Sequence, residues 1–299
     1  MEKRPRVVVV AKRSAYTKFV EEDGDPRARE LVRRSDPSVR RWRRAHEAHI
    51  STIEAVSKTL DELGVQAWTV DGPQNAFDAA DADLVITVGG DGTLLAASHN
   101  IGDIPILGVN SAPDHSIGFF CAATKRTVAE LVRSALTGKA RRVVLARMQV
   151  EVEGRAVSTR VLNEALFCHE IPAATTKYIL RYGARREEQR SSGLWVGTAA
   201  GSTGALRSAG GRILPLKSQH LQVVVREPYQ GEAQPYRMQK LIIESGRELS
   251  VVNKMNEGWM FLDGPFKRVR VRLGETIRFS VSKEPLTVLG LDPRRPRKR

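Results

Sequence analysis

Apolar positions fall along this chain in two textures. In the first part, Val7-Val8-Val9-Val10 reads as a buried strand, followed by a polar, Arg-rich stretch that contains Pro26 and Pro37. Ile50, Ile53, Val56, Leu60 and Leu63 then recur at three- and four-residue steps, which predicts one helical face, and Gly64 stops it. Val65 to Val70 is the next strand, Asp71-Gly72-Pro73 a turn, and Asp83 to Gly89 an apolar run that becomes a strand. A helix is predicted from Thr93 and a further strand over Pro105 to Asn110. Strands alternating with helices imply right-handed βαβ units and a parallel sheet, an α/β domain.

The texture changes after about residue 122. Arg142 to Val152, Ala156 to Leu162, Tyr178 to Tyr182, Leu194 to Gly197, Gln222 to Val225 and several later runs as far as Thr276 to Val281 are short, rich in Val, Ile and aromatics, and separated by turn residues. They predict an all-β second domain. The expected organisation is an α/β domain over 1–122, a β-rich domain over 123–282 and a basic tail over 283–299.

The candidate chemistry begins where the run ending at Val88 breaks into Gly89-Gly90-Asp91-Gly92-Thr93. Strand, turn and helix follow in that order, and the glycines allow the backbone to approach an anion at the helix N-terminus. A carboxylate beside a phosphate is unfavourable unless it has a task. Asp91 could accept a proton from an attacking hydroxyl or help to hold Mg²⁺, or it could simply cap the helix. The spacing matches neither Gly-x-x-x-x-Gly-Lys-Ser/Thr nor Gly-x-Gly-x-x-Gly. In a parallel sheet ligands bind at the carboxyl ends of the strands, where Gly108-Val109-Asn110 also ends.

Two later motifs carry further polar chemistry. Leu162-Asn163-Glu164-Ala165 sets an amide, able to read an adenine edge, beside a carboxylate able to accept from a ribose hydroxyl. Thr198-Ala199-Ala200-Gly201-Ser202-Thr203-Gly204, followed by Ser208-Ala209-Gly210-Gly211, is a small-residue loop that a ligand can approach closely.

Composition narrows the classes. The 299 residues allow two sizeable cores, and the 41% hydrophobic content suits a globular protein. No apolar run approaches the roughly 20 residues of a membrane span, and the start lacks a signal peptide's long apolar core, so a cytoplasmic protein with no membrane partner is expected. Cys121 and Cys168 are too few for a disulfide framework and read as buried free thiols, while His46 and His49 read as a solvated helical pair. The net charge of +14 is concentrated in Arg27 to Arg44 and in Arg294 to Arg299. No recognition-helix or RNA-binding signature accompanies it, so attraction of a polyphosphate donor is expected rather than specific nucleic-acid binding.

Gly89 to Thr93, with Asn163-Glu164, Gly201-Ser202-Thr203, Ser208, Gly210-Gly211 and Leu262-Asp263-Gly264, resembles the NAD kinase family over most of the chain from Val85 to about Phe266. Lipid kinases of the related branch usually carry Asn-Glu directly after the Gly-Gly-Asp-Gly-Thr; here Leu94-Leu95 follows. Many NAD kinases have Asp-Gly ahead of the second loop and a Tyr after its threonine, where this chain has Ser192-Gly193 and Gly204-Ala205. Those departures, with Val109 to Pro113 and a delayed Gly118-Phe119, look more like the mitochondrial-type subgroup.

The resemblance implies a Rossmann-like, phosphofructokinase-like first domain, a sandwich-like second domain, and a tail that returns to the first. It implies transfer of the ATP γ-phosphoryl group to the adenosine-ribose 2′-hydroxyl of NAD, with Mg²⁺ or another divalent metal, in a homodimer or homotetramer. Asp91 would be the base, Gly90, Gly92 and Thr93 would border the phosphates, Asn163 and Glu164 would hold the dinucleotide, and Thr203, Gly204 and Ser208 would line its other side. Asn110, Phe119, Ser192, Ala205 and Asp263 are further candidates. The rival readings are a kinase of the diacylglycerol or sphingosine type, and a non-catalytic dinucleotide-binding protein.

Overall fold

A seven-stranded sheet is built from β1 (Arg6–Ala11), β2 (Gln66–Asp71), β3 (Leu84–Gly89), β4 (Ile106–Asn110), β5 (Cys121–Thr124) and β6 (Arg142–Leu145), with a seventh strand, Leu286–Leu289, lying between β4 and β6; β1 to β5 and Leu286–Leu289 pair in parallel. These positions come from a computed structural model that describes residues 4–229, 236–265 and 267–294. β1 is flanked by β2 and β3, both parallel to it, and every residue from Val7 to Ala11 is buried. Unbroken β-branched runs are what a strand covered on both faces requires. β3 pairs with β4 so that Gly89 stands opposite Asn110, and two carboxyl ends therefore open at one place.

The Arg-rich stretch is helical rather than irregular. In α1 (Pro26–Arg33), Asp25 Oδ1 accepts from Arg27 N at 2.7 Å and Ala28 N at 3.1 Å, and Pro26 takes the position where a missing N–H costs nothing. The expected apolar face lies in α2 (Trp42–Glu62), but its buried residues are His49, Thr52, Val56, Thr59 and Leu60, while Ile50 is 39% exposed. His49 is thus no solvated residue. Its Nε2 lies 2.8 Å from the Lys12 carbonyl just past β1, and burial lowers its pKa to about 4, so it is neutral and donates that proton. His46 Nδ1 lies 2.9 Å from Ser14 Oγ.

α3 (Asp91–Ser98) follows β3, and α4 (Val128–Leu136) places Val128 and Val132 in one apolar cluster with residues of β1, β3 and β4. Contacts divide the chain into a unit built from residues up to Val143 together with those from Thr287 on, and a second unit, Val144–Leu286. This division falls later than the expected boundary at 122. The run from Arg142 to Val152 is two strands, one at the edge of the first sheet and the other starting the second unit.

The second unit contains β7 (Met148–Val152), β8 (Arg155–Val161), β9 (Glu164–His169), β10 (Thr176–Tyr182), β11 (Arg185–Ser191), β12 (Gly193–Gly197), β13 (Leu221–Arg226), β14 (Lys240–Ile243), β15 (Leu249–Asn253), β16 (Glu257–Leu262), β17 (Lys267–Arg272) and β18 (Thr276–Val281). They form two antiparallel six-stranded sheets, ordered β11-β10-β15-β18-β7-β8 and β14-β13-β12-β9-β16-β17. One apolar cluster, including Val150, Tyr178 and Phe279 from the first sheet and Phe167, Val196 and Met260 from the second, joins them into a sandwich. Leu286–Leu289 is β19; of the basic tail, residues 295–299 lie outside the described residues.

Candidate functional site

The glycine turn is shaped by its neighbours. A Cβ on Gly89 would overlap the Thr93 side chain, and one on Gly90 would meet Ser116 Oγ at 2.5 Å, whereas Gly92 faces open space. Gly90 is the N-cap of α3 and no side chain caps that helix, which leaves the first-turn amides available to an anion. Asp91 does not cap it either. Its Oδ2 accepts from Phe119 N at 2.9 Å and its Oδ1 from Phe120 N at 2.8 Å, so the carboxylate is held by the segment after β4. Charge-assisted bonds of this kind fix a carboxylate's direction while leaving lone pairs for a further partner.

Asn110 supports that segment rather than facing a ligand. Its Oδ1 accepts from Ala112 N at 3.2 Å and its Nδ2 donates to Ser116 O at 3.1 Å. Gly118, with a φ of +60°, packs so closely on this amide that a Cβ would overlap it. The Phe119 ring meets Phe120 edge-on, with centroids 5.0 Å apart. Gly90, Asp91, Gly92, Thr93, Asn110 and Phe119 therefore gather in the first unit. Lys12, half-buried just past β1, donates its N–H to Val88 O, and burial lowers its ammonium pKa. Its backbone joins the end of β3 just before this turn, and no motif singles it out.

The second unit assembles a separate cluster around Asn163. Asp263, in a left-handed turn with φ +50°, accepts from Leu162 N at 2.7 Å, Asn163 N at 2.7 Å and Glu164 N at 3.1 Å. The Asn163 carbonyl accepts from Thr198 N at 2.9 Å, and Thr198 Oγ1 donates to Leu162 O. A Cβ on Gly197 would meet the Asn163 carbonyl oxygen at 2.7 Å, and one on Gly201 would overlap its backbone, so both glycines are required by close approach. The amide oxygen Oδ1 of Asn163 is buried and has no hydrogen-bond partner among the described residues. A buried acceptor without a donor points to one on a ligand.

Burial, with the Asp263 charge adding to it, raises Glu164 to about 7. Gly201–Thr203 is a 3₁₀ turn and Ala205–Ser208 a short helix, α5, so Thr203, Gly204, Ala205 and Ser208 follow directly on the Asn163 contact. Thr203 is half-buried and Gly204 exposed, whereas Ser202 is buried and spent internally, donating to Ala199 O at 2.7 Å and accepting from Leu214 N at 3.0 Å. Ser192 lies away from that loop. With Glu164 it lines a cavity of about 360 Å³, mostly apolar, that Trp195, Phe261 and Arg226 also border. Gly204-Ala205 stands where many NAD kinases carry a Tyr. Trp195 and Phe261 supply aromatic surface beside Glu164 from β12 and β16, as alternate residues facing out of the sandwich. Cys168 also lines the cavity and is half-buried, which corrects the expectation of a buried thiol; Cys121 is buried.

Comparison with known proteins places the chain. The profile of the ATP-NAD kinase N-terminal domain matches residues 10–140. A probable NADH kinase of Oryza sativa is 33% identical over 270 residues, which are 82% of this chain and 82% of that one. The chain belongs to the NAD kinase family. An NADH kinase of Arabidopsis thaliana is 31% identical over 81% of this chain and 83% of its own, and an NAD kinase of Methanocorpusculum labreanum is 28% identical over 71% and 74%. The family's fold is also that of solved structures. An NAD kinase from Archaeoglobus fulgidus in complex with ATP superposes with a TM-score of 0.67 at 19% identity, over 97% of this chain and 94% of that one. Yeast NADH kinase complexed with NADH gives 0.69 at 13% identity, over 98% and 85%. This kinase accordingly carries an α/β domain and a β-sandwich, and phosphorylates a hydroxyl group with ATP.

Among the described residues no three His, Cys, Asp or Glu side chains gather as a metal site. Mg²⁺ commonly takes one or two carboxylates and completes its shell with substrate phosphates and water, and Asp91 beside an anion-facing turn fits that mode. No helix among the described residues is long and apolar enough to cross a membrane.

Proposed function

We propose that the protein transfers the γ-phosphoryl group of ATP to the adenosine-ribose 2′-hydroxyl of NAD, giving NADP. The observation that carries this reading is the Asp91 carboxylate, aimed by the amides of Phe119 and Phe120 at the edge of a glycine turn with an uncapped helix behind it. A carboxylate so placed accepts the proton of the attacking hydroxyl as the oxygen bonds to phosphorus. Gly90, Gly92 and Thr93 border the transferring phosphates, and Lys12 supplies positive charge there. Asp91 would help to hold a Mg²⁺ ion, which when bound would supply neutralisation of the charge on the phosphates. Asn163 and Glu164 hold the dinucleotide, with Asp263 positioning both through their amides, and Thr203, Gly204 and Ser208 close its other side. The working form is a homodimer or homotetramer.

NADH as the preferred acceptor is a second reading, favoured by the plant relatives named NADH kinase. The two are separated by incubating purified protein with Mg-ATP and either NAD or NADH, and detecting NADP(H) with an NADP-specific dehydrogenase. The ratio of initial rates fixes the acceptor. Asp91→Asn is expected to keep the fold and lose about 10²- to 10⁴-fold in turnover, the range for removing a general base. Wild-type turnover in that variant would take Asp91 out of the mechanism.

A further inference from the structure

A second basic feature stands apart from the glycine turn. In the first unit a cavity of about 570 Å³ is lined by Arg40, Arg41, Arg43, Arg44 and His115 over Val39, and among the described residues no carboxylate and no residue of the Gly89–Thr93 turn borders it. The neighbouring arginines Arg33 and Arg34 share the single carboxylate of Glu30. Arg43 leans over the Tyr16 ring at 6.0 Å, and among the described residues Arg40, Arg41 and Arg44 have no acidic partner. α2 starts between them, with Arg41 as its N-cap and no side-chain cap, which adds the partial positive charge of a 21-residue helix.

Four guanidinium groups around one concavity repel one another and set up a positive potential that an anion of comparable charge relieves. Guanidinium forks match phosphate oxygens two at a time, and the space exceeds what a single phosphate fills. We infer that this cavity binds a condensed phosphate chain, the three linked phosphoryl groups of free tripolyphosphate or of a nucleoside triphosphate. The inference rests on charge and shape and is independent of which acceptor the kinase uses.

The location ties an occupant to the catalytic turn. His115 belongs to the segment in which Ser116 touches Gly90 and Phe119 and Phe120 hold Asp91. From the other side, the Thr52 hydroxyl of α2, which donates to Ala48 O at 2.7 Å, lies 3.4 Å from Ser111 O. A phosphate chain spanning the start of α2 and His115 therefore braces the segment that aims Asp91.

The test is isothermal titration of the full chain with sodium tripolyphosphate in one arm and Mg-free ATP in the other. Wild type is compared with Arg40→Gln/Arg44→Gln and with Arg186→Gln/Arg190→Gln, which removes equal charge from β11. A loss of at least about tenfold in affinity in the first variant, and less than about twofold in the second, is expected, since charge-assisted bidentate contacts are lost only in the first. Thermal melting checks that both variants stay folded. Arginine-dependent loss with tripolyphosphate means that the bare chain suffices; loss with ATP alone means that the nucleoside is part of the ligand. Unchanged affinity in Arg40→Gln/Arg44→Gln, equal losses in both variants, or no wild-type binding in either arm overturns the inference.

Discussion

Glu164 is a carboxyl group whose charge the folded chain resists. Burial first, and then Asp263, raise its pKa from 4.5 to about 7, while Asp263 itself is compensated by three amide donors. The folded state therefore binds the Glu164 proton more tightly than the unfolded chain does. Its contribution to stability is present below pH 4.5 and is lost as pH rises through about 7. Glu164→Gln should abolish that slope, so that thermal melting of wild type falls relative to the variant across this window. Parallel curves for the two proteins would show that Glu164 is ionised alike in both states. At this scale the sequence marked Asp91, Asn163 and Glu164 as candidates for the chemistry, because they sit in recognisable strings. It did not tell which polar atoms are consumed internally. Asn110 and Ser202 look like Thr203 in a sequence, yet their side chains are spent on the backbone around them.

Among the elements, the loop Thr198–Gly204 depends on a backbone approach that only glycine permits. A Cβ at Gly201 would overlap Asn163 main-chain atoms, which cannot rotate away as a side chain can. Gly201→Ala should destabilise the protein by about 1–3 kcal/mol, the cost of overpacking a tight contact. It should also raise KM for the dinucleotide, read by urea unfolding and by the coupled assay. Gly92→Ala is the contrast: nothing lies within 4 Å, so its stability should be near wild type, and a loss of activity there would come from the ligand side. Strands with β-branched runs were legible as elements. β11, Arg-Arg-Glu-Glu-Gln-Arg-Ser, was not, because it is an edge strand whose polar side chains face water and whose Gln189 and Ser191 point in to meet Tyr178 OH. α2 begins well before its apolar stripe for a similar reason. His49, Thr52 and Thr59 fill buried positions by bonding to backbone carbonyls, which hydrophobic periodicity does not register.

Over the whole molecule, the fold depends on a charge placed where water cannot reach. Arg147 is fully buried, donates from Nε to Glu284 O at 2.6 Å and from Nη2 to Pro285 O at 3.2 Å, and accepts from Ser282 N at 2.8 Å through its own carbonyl. It clasps the segment that leads into β19. Glu284 is held from a second side by Thr159 and Arg160, whose bonds keep its carboxyl below the usual range. Arg147→Met keeps much of the side-chain volume but leaves two carbonyls without donors. It should cost on the order of 2–4 kcal/mol, seen as a lower denaturation midpoint at unchanged m. A midpoint equal to wild type would mean that the carbonyls find other donors.

The sequence by itself determined the class of each half and the motifs of the site, since strand, helix and turn preferences and a glycine's freedom are local properties. It also determined the family, through motifs whose order and spacing survive in a linear string. Tertiary structure alone decided where the first unit ends, that β19 stands between β4 and β6, and which groups aim the named residues. Phe119 and Phe120 reach Asp91 across 28 and 29 positions, and Asp263 reaches Leu162 across 101. Hydrogen bonds between segments that far apart depend on how the sheets align, and no local pattern encodes that alignment.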